Sequence, residues 1–125
     1  MPSVLVAKTS VDGHWRGVDL VSRVLRDAGF EVIMLGMAMP EAIASAAVQE
    51  NVDLVGLNVG GRVEVALRAI EALRQAGSEA PVIAGGTIAP WARRLLEEQG
   101  VEVFPPGSST ADITNAARRL TEGAE

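Results

Sequence analysis

Five short apolar runs alternate with five stretches of helical spacing, and this alternation limits the folds open to the 125-residue chain more than any other feature. Val4-Leu5-Val6-Ala7 is an unbroken apolar run, as expected of a strand buried on both faces. Gly17 to Ala28 follows with Val18, Val21, Val24, Leu25 and Ala28 at helical spacing, and Gly29 supplies the stop. Val32-Ile33-Met34-Leu35 reads as a second strand, and Pro40 opens a helix that carries Ile43, Ala47 and Val48. Leu54-Val55-Gly56-Leu57 is a third strand; Val63, Leu67, Ile70 and Leu73 mark a helix ending at Gly77. Pro81-Val82-Ile83-Ala84 is a fourth strand, followed by a helix from Ala89 to Gln99 that Gly100 closes. Val101 to Phe104 is the fifth strand, and Ile113, Ala116, Ala117 and Leu120 stripe the last helix before a short frayed tail, 121–125.

Strict alternation of this kind predicts the α/β class, with a parallel sheet covered by helices on both faces. The expected architecture is flavodoxin-like: a doubly wound, five-stranded parallel sheet in the order 2-1-3-4-5, forming a single domain over 1–125. Ligands of such sheets bind beyond the carboxyl ends of the strands, near the switch point between strands 1 and 3. The unusual residues gather at those ends: Asp12-Gly13-His14 after strand 1, Asn58-Val59-Gly60-Gly61 after strand 3, Gly85-Gly86-Thr87 after strand 4, and Pro105-Pro106-Gly107-Ser108-Ser109 after strand 5.

Several occupants of this architecture fail on their residues. A phosphoacceptor receiver needs an aspartate after strand 3 and a lysine after strand 5, where this chain has Asn58 and Pro105-Pro106. A dinucleotide site needs G-x-G-x-x-G, but the first loop has glycine only at Gly13 and Gly17. Of a flavodoxin phosphate loop only Thr9-Ser10 is present, and Ser10 has no nucleophile-elbow context. With no cysteine, disulfide scaffolds, zinc–cysteine sites and thiol catalysis are excluded. A net charge of −5 without a basic run argues against nucleic acid and anionic membrane as partners. The longest apolar stretch, Val32 to Met39, is too short to span a bilayer, and Lys8 and Asp12 interrupt any signal-peptide pattern, so a cytoplasmic location is expected.

His14 is the only histidine. Asp12, two positions upstream with glycine between, can fold back to hold one ring nitrogen and leave the other facing outward, as a metal-ligating imidazole requires. The loop suggests a cofactor metal that needs one protein ligand.

Asp12-Gly13-His14-Trp15-Arg16-Gly17, following Val6-Ala7-Lys8, resembles the D-x-H-x-x-G signature of cobalamin-binding domains, in the form seen in B12-dependent methylmalonyl-CoA mutase and its relatives. Gly85-Gly86-Thr87-Ile88 resembles that family's G-G-x-I turn, and Pro106-Gly107-Ser108 its P-G-T loop; the likeness runs from Val4 to about Ser109. The resemblance implies that the cofactor's benzimidazole leaves cobalt and its nucleotide tail enters a slot in the sheet domain. His14 would then ligate cobalt through Nε2 from below, Asp12 would accept the Nδ1 proton, and Lys8 would pair with Asp12. Gly85 and Gly86, without a Cβ, would let the backbone approach the tail closely.

Where the family has S-x-L after strand 3, this chain has Asn58-Val59-Gly60. The Asn58 amide still donates to a ring nitrogen, whereas loss of the leucine widens the pocket and leaves a modified lower base or weaker tail binding open. Gly60-Gly61 reads equally as a turn or a site. Trp15 and Trp91 near the strand ends are either covered by a partner or cap helices, and Arg16 faces either a partner, a cofactor phosphate or solvent.

By this resemblance the chain is the adenosylcobalamin-binding small subunit of an acyl-CoA mutase, with no catalytic residue of its own. A large, barrel-shaped catalytic subunit would hold the acyl-CoA against the upper cofactor face. The implied chemistry is homolysis of the cobalt–carbon bond, hydrogen abstraction and a 1,2-shift, with the corrin carrying the reaction. A glutamate-mutase-type small subunit and a non-catalytic cobalamin carrier or sensor are the alternatives. A corrinoid methyl carrier fits less well: those proteins continue the signature with Lys-Asn and add a helical cap domain, whereas Gly17 is followed by Val18-Asp19 and no cap domain is expected before Met1.

Overall fold

The computed structural model describes residues 1–9 and 15–123, with the side chains of residues 15 and 16 left aside. Strands β1 (Ser3–Lys8), β2 (Glu31–Met37), β3 (Leu54–Val59), β4 (Val82–Gly86) and β5 (Glu102–Phe104) alternate with helices α1 (Trp15–Asp27), α2 (Pro40–Gln49), α3 (Val63–Gln75), α4 (Pro90–Glu98) and α5 (Thr110–Leu120). The strands form one sheet in the order β2-β1-β3-β4-β5, and every pairing is parallel. The expected flavodoxin-like order is therefore the observed one.

Alternation along each strand splits the apolar residues between two cores. Leu5, Ala7, Val55, Leu57 and Val59 pack with Ile43 of α2, Ile70 and Leu73 of α3 and Leu96 of α4. Val4, Val6, Leu54 and Ile83 face the other way, toward Val18 and Leu25 of α1 and Ala117 of α5. Helices α2, α3 and α4 thus cover one face, and α1 and α5 the other. With only two helices on that second face, the strand ends beneath them have room for something else.

Several boundaries differ from expectation, among them three outside β3 and β4. Helix α1 starts at Trp15, so Trp15 and Arg16 belong to its first turn and not to the loop. β2 runs on to Met37 past a register shift, where Val6 pairs with Met34 but Ala7 with Gly36. Thr121, expected to open a frayed tail, is buried and closes α5, its Oγ1 donating to the Ala117 carbonyl at 2.7 Å. The start of α5 is fixed by a reciprocal cap: Asp112 N donates to Ser109 Oγ at 3.1 Å and Ser109 N to Asp112 Oδ2 at 3.3 Å. Among the described residues no helix is long and apolar enough to cross a membrane.

Candidate functional site

A cavity of about 290 Å³ opens at the carboxyl ends of the strands, on the face covered by α1 and α5. Gly17, Val18 and Val21 of α1 form one wall, and Ile113 of α5 with the segment Phe104 to Ser108 forms the other. Val6, Gly56, Ile83 and Gly85 make the floor, and Asn58, Gly86 and Thr87 lie toward the strand ends. Most of these side chains are aliphatic or absent, as suits a flat apolar group more than a charged one.

Two floor glycines explain why the space exists. A Cβ on Gly56 would lie 3.7 Å from Ile83 Cγ1, and one on Gly85 3.7 Å from the Phe104 carbonyl oxygen, both ordinary contacts. Neither glycine has a positive φ. Backbone and packing would therefore accept a side chain at each position, although glycine inside a strand weakens it. What the missing side chains leave is the cavity itself. Gly86 is different: its φ is +119° and an added Cβ would sit 2.4 Å from the Val59 carbonyl oxygen.

Asn58 is the half-buried amide of the site, whereas Thr87 is exposed and Ser108 Oγ already donates to the Pro105 carbonyl at 2.7 Å. The Asn58 side chain makes no hydrogen bond among the described residues, while its backbone oxygen accepts from Thr9 N at 3.0 Å and Thr9 Oγ1 at 3.1 Å. Thr9 thereby pins the exit of β1 to β3. Where α1 begins, a Cβ on Gly17 would lie 3.7 Å from Asn58 Nδ2. Thr9 and Gly17 thus both lie beside Asn58.

Of the residues singled out from the sequence, Gly17, Asn58, Gly85, Gly86, Thr87, Pro106, Gly107 and Ser108 line this one cavity. Lys8 is buried and engaged, paired in the ladder with Asn58. Val59 is not in the cavity: β3 continues through it, and its side chain, 1% exposed, packs in the opposite core. Gly60 is buried but does not line the space. Trp15 and Arg16 open α1; Asp12, Gly13 and His14 lie outside the described residues. Sequence reasoning passed over Gly56, Val6, Val18, Val21, Ile83, Phe104, Pro105 and Ile113 as site residues. Gly56 alone carried a local signal, being a glycine inside a strand.

The charges of the neighbouring loop have a local task. Arg62 Nε donates to Glu64 Oε1 at 2.8 Å, and that hydrogen bond holds the Glu64 carboxyl below its usual value. The pair is exposed and sits at the start of α3, outside the cavity.

The B12 binding domain family matches residues 2–114. The 2-hydroxyisobutanoyl-CoA mutase small subunit of Aquincola tertiaricarbonis is 38% identical over 122 residues, which cover 94% of this chain and 90% of that one. Methylmalonyl-CoA mutase of Escherichia coli is 36% identical over 116 residues, 89% of this chain but 16% of that much longer protein. Among solved structures, the methanol:cobalamin methyltransferase complex of Methanosarcina barkeri superposes with a TM-score of 0.81 at 18% identity, over 97% of this chain and 46% of that one, a likeness of fold alone.

Proposed function

The chain belongs to the B12-binding domain family, and we propose that it is the adenosylcobalamin-holding small subunit of a carbon-skeleton acyl-CoA mutase, working in the cytoplasm with a separate large subunit. The observation that carries this is the cavity between α1 and α5, floored by Gly56 and Gly85 where side chains would otherwise fit. It lies at the strand ends where a doubly wound sheet takes its ligand. Its shape and apolar lining suit the nucleotide tail of the cofactor, and the Asn58 amide supplies a polar group for the base.

Within this reading His14 would hold the cobalt of the cofactor through its imidazole. Asp12 would accept a hydrogen bond from the imidazole Nδ1–H, which fixes the tautomer and strengthens the nitrogen donor at Nε2. Lys8, buried at the end of β1, would balance the charge of Asp12. Gly13 is the proposed spacer of the motif, Trp15, Arg16 and Gly17 open α1, and Gly17 leaves the cavity wall open beside Asn58. Thr87, Pro106, Gly107 and Ser108 border the tail. Adenosylcobalamin supplies radical chemistry through its cobalt–carbon bond, and this chain orients it. The acyl-CoA belongs to the large, barrel-shaped subunit, and the relatives named as mutase small subunits support that division of labour.

The test is to mix the purified chain with adenosylcobalamin, photolyse a portion and record its visible and electron paramagnetic resonance spectra. Displacement of the benzimidazole and nitrogen hyperfine splitting that changes on 15N-histidine labelling are expected. His14→Ala should abolish the labelled splitting while the tail still binds. A wild-type spectrum identical to that of free cofactor would overturn the assignment.

A further inference from the structure

Granted the tail site proposed above, we infer that Asn58 makes this cavity selective for a corrinoid whose lower base carries an amino donor beside a ring-nitrogen acceptor, adenine being the type. The carboxamide has donor hydrogens on Nδ2 and acceptor lone pairs on Oδ1. Among the described residues it has no hydrogen-bond partner, and it stands half-buried beside aliphatic walls. Any base that enters removes it from water, so both halves of the amide then need partners from the base.

A dimethylbenzimidazole base, once off cobalt, offers one free ring nitrogen. That nitrogen satisfies Nδ2 and leaves Oδ1 dry against carbon. Of the other polar side chains in the lining, Ser108 Oγ is committed to the Pro105 carbonyl and Thr87 is exposed, and neither hydrogen-bonds the Asn58 amide. Adenine offers the acceptor N1 beside the N6 amino donor along one edge, the complement of a carboxamide, much as its N6/N7 edge is the complement of asparagine in nucleic acids. The glycine floor at Gly56 and Gly85 lets a flat base shift until that edge meets Asn58 without striking a side chain.

The experiment measures dissociation constants of the full chain, by isothermal titration in the dark, for three adenosylated corrinoids: one with dimethylbenzimidazole, one with adenine, and cobinamide, which has no nucleotide. The adenine form should bind about tenfold more tightly than the benzimidazole form, the increment of one net hydrogen bond. Asn58→Ser, which puts a single hydroxyl in place of the paired amide donor and acceptor, should remove that preference. Equal or weaker binding of the adenine form overturns the inference while leaving the tail site standing, provided both bind more tightly than cobinamide. A preference that survives in Asn58→Ser overturns it too. Cobinamide binding as tightly as the complete cofactors would instead overturn the tail site, and the inference with it.

Discussion

Gly56→Val is expected to weaken adenosylcobalamin binding by a hundredfold or more while leaving the fold intact. The first added carbon meets Ile83 Cγ1 at 3.7 Å and Val6 Cγ2 at 3.9 Å, so the sheet accepts it without adjustment. A β-branched residue also suits a strand better than glycine does, and the unfolding midpoint should hold or rise. The valine methyls then occupy the floor on which the tail base would lie. Burying an aromatic base of roughly 150–250 Å² contributes on the order of 4–6 kcal/mol before ordering costs. Losing about half of that already corresponds to roughly a hundredfold in affinity. Titration with adenosylcobalamin and adenosylcobinamide separates the effects: only the tailed cofactor should lose affinity. If Gly56→Val bound adenosylcobalamin within about threefold of the unsubstituted chain, the glycine floor would not be the tail site.

The sequence made Gly56 hard to see for the same reason it made the sheet easy to see. A parallel strand buried on both faces is read as a continuous apolar run, and glycine inside such a run interrupts nothing. The strand order followed from alternation, and Gly85 in the cavity floor and Pro106 to Ser108 in its wall stood out because they end the runs. Val59 was misplaced because the third strand was ended too early. Once β3 extends through Val59, period-two alternation sends Asn58 to the cavity and Val59 to the opposite core. The start of α1 was missed by two residues, since apolar spacing begins only at Val18 whereas the backbone is helical from Trp15. Thr121 looked polar enough to fray, yet its hydroxyl bonds back to Ala117 and lets the residue bury. None of these misses altered the topology, because topology rests on whole apolar faces and a site rests on single positions.

Gly86→Ala should be the most destabilising small substitution at the site, costing about 3 kcal/mol or more and lowering the melting temperature by roughly 10 °C. Two separate costs act there. The φ of +119° is one that side-chain-bearing residues rarely adopt, and the new Cβ would lie 2.4 Å from the Val59 carbonyl oxygen. The obstacle is backbone of the adjoining strand, paired with Gly86 in the β3–β4 ladder, so no rotamer change relieves it. Relief requires the ends of β3 and β4 to part, and those ends carry Asn58 and Thr87 into the cavity. Gly29→Ala isolates the first cost, since Gly29 has a comparable φ of +100° with nothing within 4 Å of an added Cβ. That control should lose only about 1 kcal/mol in urea unfolding. The excess loss in Gly86→Ala then measures how tightly the two strand ends must close to shape the cavity. If the two variants unfolded at the same urea concentration, the approach of Val59 to Gly86 would not constrain the site.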